Sequence, residues 1–175
     1  MVAIAKRAGV NTPAIYRRWP TRHALVEEAI HGPGGHRPPD PTGDLRADLR
    51  TWVRIFLARA ASPAARAGVP GLLADSQTEE ARHRLLAIGA PVRQAFAELL
   101  AGAVDAGQIP PGADPEMLFE ILSGTTTFHA LARRAADADA EAFVAALADA
   151  MYVMASSGGP RSGSSAPRRR VRSLS

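Results

Sequence analysis

The chain has no cysteine, a single lysine, few aromatic residues and no long apolar run. Without cysteine it has no disulfide framework, no thiolate metal site and no cysteine nucleophile. Aromatics make up 5% of the residues although 46% of the chain is apolar. Much of that apolar content is alanine, a strong helix former of small volume. Sheets draw on β-branched and aromatic side chains, so the composition points to closely packed helices. No stretch approaches the roughly 18 consecutive apolar residues that a membrane-spanning helix needs, and the N-terminus lacks the basic-then-apolar layout of a secretory signal. A soluble, cytoplasmic protein with no membrane partner is the expectation. Arginine outnumbers lysine twenty to one beside abundant Ala, Gly and Pro. That bias reads as G+C-rich coding, so no arginine is a phosphate contact on composition alone.

Enzyme chemistry finds no support either. His23, His31, His36, His83 and His129 are scattered, with no pair at helical ligand spacing beside a carboxylate. No phosphate-binding glycine loop or nucleophile elbow is present. Asp137 and Asp139 fall at a predicted helix start, where the dipole favours acids. The chain is read as a non-enzyme, with no cofactor and no metal.

What the chain does have is unevenly spread charge. Residues 1–31 carry five basic and two acidic side chains, residues 32–155 eleven and fifteen, and the last twenty residues five and none. A basic head on a mildly acidic body suggests that one end faces a polyanion.

In the head, Val2, Ala5 and Ala8 recur at helical spacing, and Gly9 supplies a helix stop. Asn11 is a good N-cap and Pro13 sits just inside the next start. The second helix is expected over Thr12 to Trp19, ending at Pro20. Thr21 caps a third, which runs to about Ile30. Two short helices meeting at a glycine turn within twenty residues form a helix-turn-helix.

Residues 31–43, HGPGGHRPPDPTG, hold four glycines and four prolines and cannot form a regular element. The division is therefore 1–31 for the head, 32–43 for a linker, 44–155 for the body and 156–175 for a basic tail expected to be disordered. In the body an amphipathic helix spans Leu45 to about Ala61. A short helix around Ala64–Ala74 is interrupted at Gly68 and Pro70. Glu79 to Ala106 is one long helix or two, with a break or kink at Gly89 and Pro91. Asp114 and Pro115 open a helix to about Ala135, and a last one covers Ala140–Ala155.

Residues 3–25, AIAKRAGVNTPAIYRRWPTRHAL, resemble the helix-turn-helix signature of the TetR family. Ile-Ala, two residues and Ala-Gly-Val lead to a capping residue, a Tyr within the recognition helix, an aromatic and a Thr-Arg step. Trp19 stands for the commoner Phe and Arg22 for the commoner Lys. The implied fold is all-α: a partial three-helix helix-turn-helix domain plus a TetR-like helical regulatory and dimerisation domain. The implied DNA-binding residues are Asn11, Thr12, Pro13, Ala14, Tyr16, Arg17, Arg18 and Arg22. Small residues at the start of a recognition helix permit close approach to base edges. Thr12, Ala14, Arg17 and Arg18 are assigned to specificity and Tyr16 to a phosphate, while Ala5, Val10, Ile15 and Leu25 are placed on the inner side.

The family has a further helix before the Ile-Ala helix, and the chain begins at Met1 without it. The head is thus expected to lack its first helix. About thirty residues lie below the size at which a small core is usually stable, so this form is expected to bind operator DNA poorly, whether the natural chain starts further upstream or is genuinely short. The resemblance further implies a homodimer through the last two helices, with Met117, Ile121, Leu122, Thr125, Phe128, Phe143, Leu147, Met151 and Met154 as interface residues. It also implies an effector pocket, assigned to Trp52, Phe56, Phe96, Phe119, Phe128 and His129, with ordinary core packing as the other reading of each aromatic. The reading is a DNA-binding transcriptional regulator, a repressor released by a small-molecule effector that the sequence does not identify. The alternative is a dimerisation and ligand-binding module with little DNA affinity, because the helix-turn-helix is truncated.

Overall fold

The structure, a computed structural model, describes residues 1–31, 37–75, 78–133 and 137–158. Eight helices and no strand make up these described residues. α1 (Val2–Ala8) ends at Gly9, whose φ of 68° lets the chain turn back, so that Val10 N–H donates to the Ala5 carbonyl at 3.1 Å. α2 (Thr12–Arg18) starts where the Asn11 carboxamide oxygen accepts from Ala14 N–H at 2.8 Å. It stops one residue earlier than expected, because Trp19 precedes Pro20 and is extended. α3 (Arg22–His31) is capped by Thr21, whose hydroxyl accepts from Ala24 N–H at 3.1 Å.

The body is built around α4 (Leu45–Ala60), which α7 (Pro115–Ala132) and α8 (Asp137–Ser156) flank and which α5 (Pro63–Asp75) and α6 (Glu79–Asp105) also touch. Leu45, Leu49, Trp52, Val53 and Leu57 form one buried stripe of α4. Against it pack Phe96 and Leu100 of α6, Leu118, Phe119 and Leu122 of α7, and Val144 and Met151 of α8. Each such side chain, fully buried, stabilises the fold by about 1.5–3 kcal/mol. The head meets this body through α3, which rests on α5.

One expected interruption is absent: α5 runs unbroken through Gly68 and Pro70. Of the two expected forms of the next segment, one long helix or two, α6 is the single helix, with Gly89 and Pro91 inside it. An interior proline forfeits one backbone hydrogen bond and strains the turn before it. In α6 that local loss is outweighed by the continuous face of Val92, Phe96, Leu100 and Ala103 buried beyond Pro91. Ser62 starts α5, its hydroxyl accepting from Ala65 N–H at 3.1 Å. α7 ends earlier than expected, since Arg133 is already extended, and α8 begins earlier, at Asp137. The expected disorder of the tail falls from residue 159 onward outside the described residues.

Three of the residues assigned to a dimer interface are spent inside the chain. Leu122 and Met151 are fully buried and Leu147 nearly so, all in the core against α4. Ile121 and Phe143 are half-buried against the same core. Met117, Thr125, Phe128 and Met154 are exposed.

The assigned pocket is also divided. Trp52, Phe56, Phe96 and Phe119 pack on one another with ring centroids 5.1–6.0 Å apart, a filled aromatic core. Phe128 is 74% exposed, and the buried His129 ring stacks on Phe143 with centroids 3.8 Å apart. Of the six, Trp52 lines a cavity between residues 37–43, α4 and α6, and Phe128 and His129 line a separate one beside Phe143 of α8. The resemblance assigned these aromatics to a pocket, but a sequence cannot tell a packed cluster from the wall of a void.

Candidate nucleic-acid interface

The buried Ile15 and Ala5 hold α2 against α1, and this orientation decides which side of α2 faces outward. Pro13, Tyr16 and Arg17, spaced by three and four residues, share its exposed face; Tyr16 is 48% exposed. Thr12 and Ala14 flank that face and are half-buried, while Asn11 is exposed at the cap. Val10, expected on the inner side, is exposed instead, because the turn after Gly9 swings it outward. Leu25 is half-buried on α3.

The two neighbouring arginines have different surroundings. Arg17 has no ion-pair partner among the described residues. Arg18 reaches Glu28 of α3, Nη2 to Oε1 at 2.6 Å, and its guanidinium lies over the Trp19 ring at 4.8 Å from the centroid. The Trp19 indole N–H donates to the second oxygen of the same carboxylate at 2.9 Å. The hydrogen bond from Arg18, followed by that from Trp19, holds the Glu28 carboxyl below its ordinary value. Glu28 therefore ties the C-terminal end of α2 to α3. Sequence reasoning overlooked it, although its distance of ten residues from Arg18 and two helix termini between them left no periodic signal to read.

Around α2, Arg17, Lys6 and Arg7 of the last turn of α1, and Arg22 at the first turn of α3 are exposed and have no ion-pair partner among the described residues. Lys6 and Arg7 belong to the basic head, and the resemblance assigns them no contact. Arg22 also lines a shallow groove where Leu25, Val26 and Ala29 of α3 face Ala64, Gly68 and Gly71 of α5. A short capped helix with an exposed Pro-Tyr-Arg face and flanking cations suits a duplex groove between two phosphate rows. Among the described residues no group of three His, Asp or Glu side chains is placed to hold a metal ion, and no helix is long and apolar enough to cross a membrane.

Two family models match the chain. Residues 1–29 match the model described as bacterial regulatory proteins, tetR family. Residues 38–151 match the tetracyclin repressor-like, C-terminal domain. Comparison with curated proteins returns no match. The two matched segments meet close to the glycine- and proline-rich stretch and together cover most of the sequence. The all-helical chain, with its helix-turn-helix head and helical body, belongs to the TetR family of DNA-binding transcriptional regulators.

Proposed function

We propose that the protein is a cytoplasmic, homodimeric repressor that reads a two-fold-symmetric operator and is released by a small-molecule effector. One observation carries the reading: α2 turns Pro13, Tyr16 and Arg17 to one exposed face, with Lys6, Arg7 and Arg22 beside it. In this arrangement Arg17 faces base edges in the major groove, where a bidentate contact to guanine suits its planar fork. Tyr16 and the flanking cations take phosphates, while Thr12, Pro13 and Ala14 permit close approach at the helix start. Arg18, held by Glu28 and Trp19, positions the helix and contributes charge. Residues 1–31 form the DNA-reading unit, 32–43 the linker, 44–155 the body and 156–175 a basic extension.

The exposed side of α7 and α8 supports the dimer. Met117, Gly124, Thr125 and Phe128 follow one another on the outside of α7, and Ala146, Ala150, Val153 and Met154 do so on α8. Two small-residue helices with a few large apolar side chains form a surface that a symmetry-related copy can cover. Pairing two heads would place two recognition helices on half-sites about one helical turn, or a multiple, apart.

The experiment is selection of bound sequences from a random duplex library, followed by gel-shift titration at several salt concentrations. An inverted repeat and a steep fall in affinity with salt are the expected results. A bound pool with no sequence preference would refute the operator reading.

A second reading is a dimerisation and ligand-binding module with little DNA affinity. It is favoured by the thin core of the head, where Ala5 and Ile15 are the buried side chains among those described in α1–α3. In that case the gel shift is weak at every sequence while the dimer persists.

A further inference from the structure

A cavity of about 720 Å³ lies between the connecting segment 37–43, α4 and the C-terminal half of α6. That size falls within the range of pockets that take drug-sized molecules. Its apolar side is formed by Trp52, Leu99 and Ala103, and its lining carries the carboxylates of Asp40, Asp48 and Glu98. Arg37 is the one cation among the described lining residues.

The wall over this cavity is fixed by specific bonds. The buried Asp48 carboxylate accepts from Thr42 N–H at 3.0 and 3.1 Å and from the Thr42 hydroxyl at 2.7 Å. Gln108 bridges the same segment to α4, donating to the Gly43 carbonyl at 3.0 Å and accepting from Leu45 N–H at 2.8 Å. Asp48 is thereby occupied with the wall. Asp40 and Glu98 remain toward solvent, with Arg37 only 3.6 Å from Asp40 in a pair that is almost fully exposed on both sides and therefore weak. An anion entering this cavity meets three carboxylates against one exposed guanidinium among the described lining residues. A cation meets the complementary field, and its apolar part meets Trp52 and Leu99.

We infer that this cavity binds a small cationic amphiphile, with its apolar body over Trp52, Leu99 and Ala103 and its positive centre toward Asp40 and Glu98. The inference deepens the regulator reading by giving the effector a place and a charge. It rests on that reading for its regulatory sense, but the binding itself is measured without DNA, so the two fail separately.

The test is isothermal titration of the full chain with tetraphenylphosphonium, neutral triphenylphosphine oxide and anionic tetraphenylborate. The phosphonium is expected to bind saturably at one site per chain and about tenfold tighter than the neutral oxide, with no binding of the borate. In the double variant Asp40→Asn, Glu98→Gln, both surface changes, the phosphonium affinity falls by about tenfold and reaches that of the oxide. Gly102 lines the cavity, and a Cβ added there meets nothing within 4 Å. Gly102→Leu therefore fills the space while improving helix propensity, and it is expected to abolish binding with an unchanged melting temperature or a higher one. Flat titrations, equal affinity for the three probes, or undiminished binding by a folded Gly102→Leu protein would each overturn the inference.

Discussion

The Arg18 guanidinium and the Glu28 carboxylate meet at 2.6 Å across the junction of α2 and α3. The Trp19 indole occupies the carboxylate's other oxygen at 2.9 Å. One acid thus fixes both the angle between two helices and the rotamer of an arginine beside the DNA-reading face. Arg17, one position earlier, is left to the solvent side.

This asymmetry predicts different losses for the two arginines. Arg17→Ala should weaken operator binding by about 1–3 kcal/mol and relax the preference at one base position. Arg18→Ala should weaken binding more uniformly across sequences and loosen the α2–α3 junction. Gel-shift titration against single-base operator variants separates the two, and equal loss of base preference in both would contradict the assignment.

Glu28 also gives the junction a pH response. Its folded pKa lies below the ordinary value of 4.5, lowered first by the Arg18 hydrogen bond and then by that of Trp19. A depressed folded pKa means that the stabilisation is present above the unfolded pKa and is lost as pH falls through the folded value. The Trp19 indole N–H resonance should therefore hold its position near neutrality and move in a titration below the ordinary carboxylate range. In Glu28→Gln that titration should vanish.

The exposed face of α7 and α8 predicts an assembly phenotype. Phe128 is 74% and Val153 59% exposed in the single chain. Phe128→Glu combined with Val153→Glu should raise the dimer dissociation constant by at least about a hundredfold, through desolvation of unpaired charge. Sedimentation equilibrium reads the change, and circular dichroism should show helix content retained. A double variant that stays dimeric at the same concentrations would place the interface elsewhere.

Leu122→Ala and Met151→Ala should behave in the opposite manner. Both side chains are fully buried against α4, so each truncation should lower the stability of the body by about 2–5 kcal/mol, a transfer and cavity cost. The dimer constant, measured below the unfolding transition, should change little. Urea unfolding at fixed protein concentration checks the first part and sedimentation the second.

Local signals made much of the head legible. Gly9, Asn11, Pro13, Pro20 and Thr21 act on backbone groups within four residues of themselves, and the three helix starts and stops they imply fall within a residue or two of the observed ones. The same locality misled at Gly68 and Pro70, through which α5 continues. At Gly89 and Pro91 it left one helix or two open, and the buried face beyond Pro91 accompanies the single helix.

By itself the sequence determined the helical composition, the turn of the helix-turn-helix and the resemblance in residues 3–25 that led to the family. The tertiary structure alone decided which of two adjacent arginines is tied to Glu28. It also separated Leu122 and Met151, committed to the chain's own core, from Phe128, left outside, and it packed four aromatics solid while opening a cavity beneath residues 37–43. The physical reason is range. Caps and breakers act through bonds to near neighbours, whereas an ion pair, a buried face or a void depends on which distant helix occupies the space alongside.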